Sequence, residues 1–208
     1  MGDRPFQRTL YSKFGSFHRI LDVGVRGYNR HCRDYIRQSA EDIAAATNTT
    51  NIYSSGSHIT INNNNKTIIY PQYYQMEPFP PNNETLNNDG LLQCYLHQVP
   101  HKYPNMKHSF DLIIDFGVFG WDAVQSSFSE EDVRRYIQSV LFLLKEKTKS
   151  DTYNGLWVLK VDRGWVANQE EFFKEFILPY FDFGRFEEWE SGYALKNGNF
   201  RFYFLYRK

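Results

Sequence analysis

The chain has 208 residues, with 24 basic and 24 acidic side chains, a hydrophobic share of 41% and a charged share of 23%. This length fits a single domain, residues 1–208. The neutral charge balance argues against binding of nucleic acid through a broad basic surface. A signal peptide and an apolar run of membrane-spanning length are both missing, and Cys32 and Cys94 give no disulfide framework. We therefore expect a cytoplasmic protein that does not insert into membranes, with a nuclear location left open.

The first predicted strand is the most informative segment of the chain. Residues 18–23 form a short apolar run that contains Asp22 and is followed by Gly24 and Gly27. Glycines at a junction of strand and helix let the backbone approach a ligand, and the first N–H groups of the helix add donors to such a site. Residues 29–46 carry apolar side chains on one helical face and predict that helix. This order predicts the start of a nucleotide- or cofactor-binding α/β unit.

A segment of low complexity follows the predicted helix. Residues 47–66 are rich in Asn and Thr, which indicates an inserted surface loop, with a short polar hairpin as the alternative. Thr67–Met76 is β-branched and aromatic and predicts the second strand, with the acid Glu77 at its tip. Residues 91–96 predict a short third strand.

The second half of the chain alternates between apolar runs and amphipathic segments. The predicted elements are a strand at 109–115, a helix at 130–147, a strand at 155–161 and a helix at 168–178. The run that ends in Asp115 is apolar on both faces, as expected for a covered parallel strand. Ser129 and Asp132 predict a capping box at the start of the longer helix.

The last predicted element is a hairpin. Residues 186–195 and 200–206 are strand-like, and the Asn197-Gly198 pair between them predicts a tight turn. The standard dinucleotide-binding fold keeps its last strands parallel, so an antiparallel ending disfavours a dehydrogenase-like domain, which is a third and weaker interpretation.

The element order, the glycine loop at Asp22–Gly27, the acid at Glu77 and the terminal hairpin together resemble a class I S-adenosylmethionine-dependent methyltransferase, a Rossmann-like superfamily. The resemblance implies an α/β three-layer sandwich with a mostly parallel seven-stranded sheet that ends in an antiparallel hairpin. It also implies S-adenosyl-L-methionine as the cofactor. The implied cofactor-binding residues are Asp22, Gly24 and Gly27 around the amino acid part, Glu77 at the ribose hydroxyls, Cys94 and Tyr95 beside the adenine, and Asp115 at the reaction pocket.

A second pattern concerns catalysis. Residues 155–161 are similar to the Gly-x-x-Val-Val-Lys-Val strand of 2′-O-ribose methyltransferases of the ribosomal RNA heat-shock type, which implies that Asp115 and Lys160 are catalytic. The alternative is that Lys160 only ends a strand and pairs with a neighbouring acid.

The sequence also departs from the superfamily pattern. Bulky Arg26 and Tyr28 flank Gly27, and the segment after Asp115 lacks the Asn/Asp-Pro-Pro-Tyr/Phe signature of methylation at base amines. Two interpretations therefore stand: a methyltransferase acting on a small molecule, a protein or an RNA, or a degenerate methyltransferase-like protein that binds or scaffolds a partner.

The acceptor side is predicted from position alone. Ligands of open α/β sheets bind beyond the carboxyl ends of the strands, and four residues in the loops after the fourth and fifth predicted strands suit that place. These acceptor-side candidates are Trp121, Asp122, Arg163 and Trp165. The histidines and Cys94 lack the spacing of a zinc site, so no metal is expected. The acceptor itself is not identifiable from the sequence.

Overall fold

A computed structural model describes the parts of the chain that build a central sheet, a smaller sheet and the helices on one side of the central sheet. The described residues are 19–24, 51–55, 58–63, 66–69, 72–78, 91–115, 118–119, 128–146, 155–162, 169–183 and 200–208. The helix predicted at 29–46 lies outside them.

The elements follow one another in a mixed α/β order. The strands are β1 (Arg19–Val23), β2 (Asn51–Ser55), β3 (His58–Asn63), β4 (Lys66–Ile69), β5 (Gln72–Met76), β6 (Leu91–Leu92), β7 (Leu112–Asp115), β8 (Leu156–Asp162), β9 (Phe181–Phe183) and β10 (Phe200–Arg207). The helices are α1 (Val99–Lys102), between the 3₁₀ turns Leu96–Gln98 and Pro104–Met106, then α2 (Glu130–Leu143) and α3 (Gln169–Phe172), which continues as a π-helix over Phe173–Ile177.

The central sheet has the strand order β6-β5-β1-β7-β8-β10-β9. The pairs from β6 to β8 are parallel, and β10 runs antiparallel to both β8 and β9. The predicted α/β class, with a mostly parallel sheet and an antiparallel part near its end, is therefore confirmed.

The two faces of this sheet are buried. On the face toward α2, Leu21, Ile113 and Trp157 lie in register, and on the opposite face Ile20, Leu112 and Leu156 do; all six side chains are at most 1% exposed. The described helices lie on the first of these faces, the one toward α2. The predicted three-layer arrangement stays a prediction, because the helix predicted at 29–46 lies outside the described residues.

Helix α2 begins as the sequence predicts. The Ser129 hydroxyl accepts from the Asp132 backbone N–H, and the Asp132 carboxylate accepts from the Ser129 backbone N–H. The Ser129 hydroxyl also donates to the Asp132 carboxylate at 2.6 Å, and this bond, followed by the one from the Ser129 backbone N–H, lowers the pKa of Asp132. The helix ends at Leu143, four residues before the predicted end. Leu144 is extended and bridges to Phe110, so the chain leaves the helix to run beside the strand entering β7.

Strand pairing tests three further predictions. Thr67–Met76 is not one strand, because the chain changes sheets between Ile69 and Gln72. β4 pairs with β3 in a separate antiparallel sheet, and β5 pairs with β1. For residues 47–66 the structure shows the polar hairpin that was the alternative to a loop, because β2 and β3 lie in this segment and pair antiparallel. The third strand ends at Leu92 because its pairing partner β5 ends at Met76, which lies opposite Leu92.

The terminal antiparallel strand is present, but its pairing differs from the predicted hairpin. A two-residue turn at Asn197-Gly198 would place Tyr206 opposite Trp189, whereas Tyr206 lies opposite Asp182 in β9. The other side of β10 pairs with β8, with Tyr206 opposite Leu156. β10 therefore lies between β8 and β9 and is antiparallel to both, and the strand predicted at 186–195 lies outside the described residues.

Among the described helices, none combines the length and the apolar character that a membrane crossing requires. In the same parts of the chain, no three His, Cys, Asp or Glu side chains are grouped so that they could hold a metal ion.

Candidate functional site

The carboxyl ends of four adjacent parallel strands meet at one edge of the central sheet. These strands are β6, β5, β1 and β7, in that spatial order. The predicted cofactor residues within the described parts of the chain all lie at this edge, namely Asp22, Gly24, Glu77, Cys94, Tyr95 and Asp115. The sheet thus gathers residues that are far apart in sequence at the place where open α/β sheets bind ligands.

Gly24 forms the turn directly after β1. Its φ is +76°, a conformation that side chains disfavour, and its N–H donates to the Met76 carbonyl at 3.0 Å. A Cβ at this position would overlap Cγ2 of Val118, which follows β7. Glycine is therefore favoured at position 24 for two reasons, the backbone conformation and the close approach of the Val118 side chain.

Asp22 and Glu77 place two buried carboxyl groups at the ends of neighbouring strands. Asp22 is 1% exposed and lies opposite Gln75, so its side chain points to the sheet face away from α2. Glu77 follows β5, is 8% exposed, and donates its N–H to the Leu92 carbonyl at 3.2 Å. A buried ionised carboxylate needs hydrogen-bond donors, and both residues have interaction partners in the structure. The pair forms the acidic part of the strand-end site.

Cys94 and Tyr95 lie beyond β6 and differ in exposure. Cys94 is 2% exposed, and burial raises the pKa of its thiol while Lys102 acts in the opposite direction. The thiol is thus a neutral, apolar surface at this edge. Tyr95 is 45% exposed, and its ring stacks on His97 with ring centroids 5.7 Å apart. The two residues supply a buried small group and an open aromatic face.

Asp115 is completely buried, and its hydrogen bonds stay within the protein. Tyr136 of α2 donates its hydroxyl to Oδ2 at 2.6 Å. The backbone N–H groups of Val118 and Phe119 donate to Oδ1 at 3.1 and 3.2 Å. The carboxylate therefore fixes the turn after β7 and joins it to α2.

The structure does not bring Asp115 and Lys160 together. Asp115 lies opposite Leu159 in the β7–β8 ladder, and side chains alternate between faces along a strand. Asp115 therefore lies on the face toward α2, and the next residue, Lys160, on the face away from it. A catalytic pair made from these two side chains is not supported by this arrangement.

A solvent-open groove of about 720 Å³ lies beside Tyr95, between the 96–102 segment and α2. Its walls include His97, His101, Lys102, Arg134 and Arg135. The arginines have acidic partners, since Arg135 contacts Glu131 at 2.9 Å and Arg134 contacts Glu175 at 3.3 Å. The groove is therefore a mixed-charge surface next to the strand-end site.

Five predicted site residues lie outside the described parts of the chain. They are Gly27 in the glycine loop and the acceptor-side candidates Trp121, Asp122, Arg163 and Trp165. Conversely, Tyr136 is close to the site and had no predicted role there. From the sequence, Tyr136 was predicted only to lie on the apolar face of a helix. Its hydroxyl was a signal that could have been used, because a buried tyrosine usually has a hydrogen-bond partner.

Comparison with known proteins identifies the fold. No protein-family model and no curated protein sequence matches this chain. A solved structure that it resembles is a TehB-like S-adenosylmethionine-dependent methyltransferase from Corynebacterium glutamicum, with a TM-score of 0.54 and 13% sequence identity. The match covers 100% of this chain and 89% of that one. The resemblance drawn from the sequence is thus confirmed at the level of the fold, which this chain shares with that methyltransferase structure.

Proposed function

We propose that this protein binds S-adenosylmethionine at the carboxyl edge of its central sheet and transfers the methyl group to an acceptor. The observation that carries the proposal is the placement of two buried carboxyl groups, Asp22 and Glu77, on adjacent strands around the positive-φ turn at Gly24. The strand order and the similarity to a methyltransferase structure support it.

The residues at this edge fit the chemistry of the cofactor. Its ammonium group and ribose hydroxyls are hydrogen-bond donors, and ionised carboxylates are acceptors only. In this proposal Asp22, Gly24 and Gly27 hold the amino acid part, Glu77 accepts from the ribose hydroxyls, and Cys94 and Tyr95 flank the adenine. The small apolar thiol and the open tyrosine ring are suitable neighbours for a flat heterocycle.

The chemistry makes few demands on the protein. When bound, the cofactor supplies a methyl group on a sulfonium sulfur, which is already activated for displacement. This chain has to align the acceptor and, for some acceptors, to remove a proton. The candidates for contacting the acceptor are Trp121, Asp122, Arg163 and Trp165.

The buried state of Asp115 favours a second candidate function. Its two carboxylate oxygens already accept from Tyr136, Val118 and Phe119, so this acid shapes the pocket instead of offering itself as a base. A methyltransferase-like protein that binds the cofactor without transferring the methyl group, and that serves a protein partner, would also have such a site. A 2′-O-ribose acceptor would require a base other than the Asp115–Lys160 pair.

A methyl-transfer assay separates the two candidates. The protein is incubated with methyl-labelled S-adenosylmethionine and separate pools of small molecules, proteins and RNA, and label in each pool is counted. We expect one pool to be labelled by the wild type and not by Asp22→Ala. Asp182→Ala, which removes an exposed carboxylate from β9, is the matched control and should label normally. Cofactor binding without label in any pool would support the binding protein instead.

A further inference from the structure

We propose that Tyr136 is a positioning residue for the cofactor loop. Its hydroxyl holds Asp115, Asp115 holds the turn at Val118, and Val118 packs on Gly24. This inference rests on the proposed cofactor site and names a residue of α2 that controls it from outside the pocket.

The first link is the hydrogen bond between α2 and β7. The Tyr136 hydroxyl lies 2.6 Å from Oδ2 of Asp115, and the two residues are 4% and 0% exposed. Hydrogen bonds between a hydroxyl and a carboxylate at this distance are strong, and burial strengthens them further. The position of α2 therefore fixes the direction in which the Asp115 carboxylate points.

The second link runs from the carboxylate to the backbone after β7. Oδ1 of Asp115 accepts from the N–H groups of Val118 and Phe119. The Phe119 ring packs on the ring of Tyr136, with centroids 4.9 Å apart, and on Trp157 at 5.2 Å. The turn is thus held by hydrogen bonds to Asp115 and by the packing of Phe119, and Tyr136 contacts both of these residues.

The third link reaches the glycine loop. Cγ2 of Val118 occupies the space in which a Cβ at Gly24 would lie, so the two turns are in direct contact. Gly24 in turn donates its N–H to Met76, the residue before Glu77. Movement of the Val118 turn would therefore displace the loop at the end of β1, which lies next to both proposed cofactor acids.

A packing role alone does not explain the hydroxyl. A phenylalanine would keep the ring contacts with Phe119 and Trp157 without burying a polar group. The hydroxyl instead donates to the Asp115 carboxylate, which orders the turn after β7. This arrangement suits a residue that sets the position of a loop.

The test compares ligand affinity with stability in two α2 variants. Tyr136→Phe removes the hydroxyl and keeps the ring, and Ile137→Val removes one methylene from the next residue, which is also buried. The dissociation constant for S-adenosylhomocysteine is measured by calorimetry, and unfolding is followed in urea. We expect roughly tenfold weaker binding for Tyr136→Phe, within the range reached by mutations outside a binding site, and unchanged binding for Ile137→Val.

A double-mutant cycle with Val118→Ala tests the route of the effect. If Tyr136 acts through Val118, its substitution weakens binding in the wild type but has little further effect once the Val118 side chain is shortened. Val118→Ala alone is expected to weaken binding too, and this variant keeps the test valid if Tyr136→Phe does not fold.

The outcomes separate this inference from the function on which it rests. A folded wild type that does not bind S-adenosylhomocysteine overturns the proposed cofactor site, and the positioning role with it. A wild type that binds, together with Tyr136→Phe and Val118→Ala variants that bind equally well, overturns the positioning role alone. Additive effects of the two substitutions would also contradict it.

Discussion

Val118 packs against Gly24 so closely that no side chain fits on the glycine, and this contact joins the turns after β7 and β1. The two strands are neighbours in the sheet, and their ends form the centre of the proposed cofactor site. The contact makes the glycine loop dependent on a residue more than ninety positions further along the chain.

Substitution of Gly24 should therefore damage both stability and binding. Gly24→Ala forces alanine into a φ of +76° and drives its methyl group into Val118. The backbone strain alone costs about 1–3 kcal/mol. Urea unfolding of Gly24→Ala with and without Val118→Ala separates the two causes. We expect the second substitution to recover part of the lost stability, since it removes the overlap and leaves the backbone strain. No recovery would mean that the overlap is unimportant.

The two buried acids should contribute separately to cofactor affinity. Asp22→Ala and Glu77→Ala each remove a carboxylate acceptor, and a hydrogen bond to a charged group is worth about 1.5–3 kcal/mol, or roughly ten- to 150-fold in affinity. Competition binding with fluorescently labelled S-adenosylhomocysteine measures this loss. Adenosine, which lacks the amino acid part, should lose affinity in Glu77→Ala and keep most of it in Asp22→Ala. Equal losses of adenosine affinity in the two variants would contradict the assigned roles.

Asp115 and Lys160 should behave as independent residues. Strand alternation places them on opposite faces of the sheet, and Asp115 has its hydrogen-bond donors on the α2 side. The effects of Asp115→Asn and Lys160→Met on the free energy of unfolding should add within about 0.5 kcal/mol. Urea denaturation of the two single variants and the double variant provides the measurement. A coupling above about 1 kcal/mol would show that the side chains interact.

The stability of the protein should fall as the pH drops below neutral, in part because of His108. Partial burial and the nearby Arg207 lower the pKa of this histidine, while Glu146 at 3.3 Å opposes them. As the pH falls, His108 is therefore protonated at a higher pH in the unfolded chain than in the folded protein. The stability contributed by His108 is complete above the unfolded pKa and is lost as the pH falls through the folded pKa.

His108→Asn isolates this contribution. His108 has a φ of +52°, and asparagine tolerates that conformation. Unfolding in urea at pH 7.5 and at pH 5.5 should show a smaller loss of stability for the variant than for the wild type. An equal loss would assign the pH dependence to other groups.

Much of the fold was predictable because local patterns determined it. The run before Asp22, the apolar face of α2 and the Ser129–Asp132 capping box each depend on residues close in sequence. Element ends were less predictable, since β6 stops where its partner β5 stops and α2 stops where Leu144 meets Phe110. These limits are set by contacts between distant segments.

The side-chain arrangement of the site was only partly predictable. The glycine loop and the two acids follow from their order along the chain. The direction of Asp115 does not, because the strand it ends is buried on both faces and its apolar pattern carries no alternation. The contacts of Val118 with Gly24 and of Tyr136 with Asp115 depend on strand register and on how α2 packs, which no local pattern encodes.

The central claim is that this fold holds S-adenosylmethionine at its strand ends, and calorimetric titration of the wild-type protein tests it most directly. S-adenosylmethionine and S-adenosylhomocysteine are titrated in turn, with Asp22→Ala and Glu77→Ala as site variants and Asp182→Ala as the matched acidic control. The account predicts micromolar binding by the wild type and the control, and a large loss in both site variants. A folded wild type that binds neither ligand, or site variants that bind like the wild type, would contradict it.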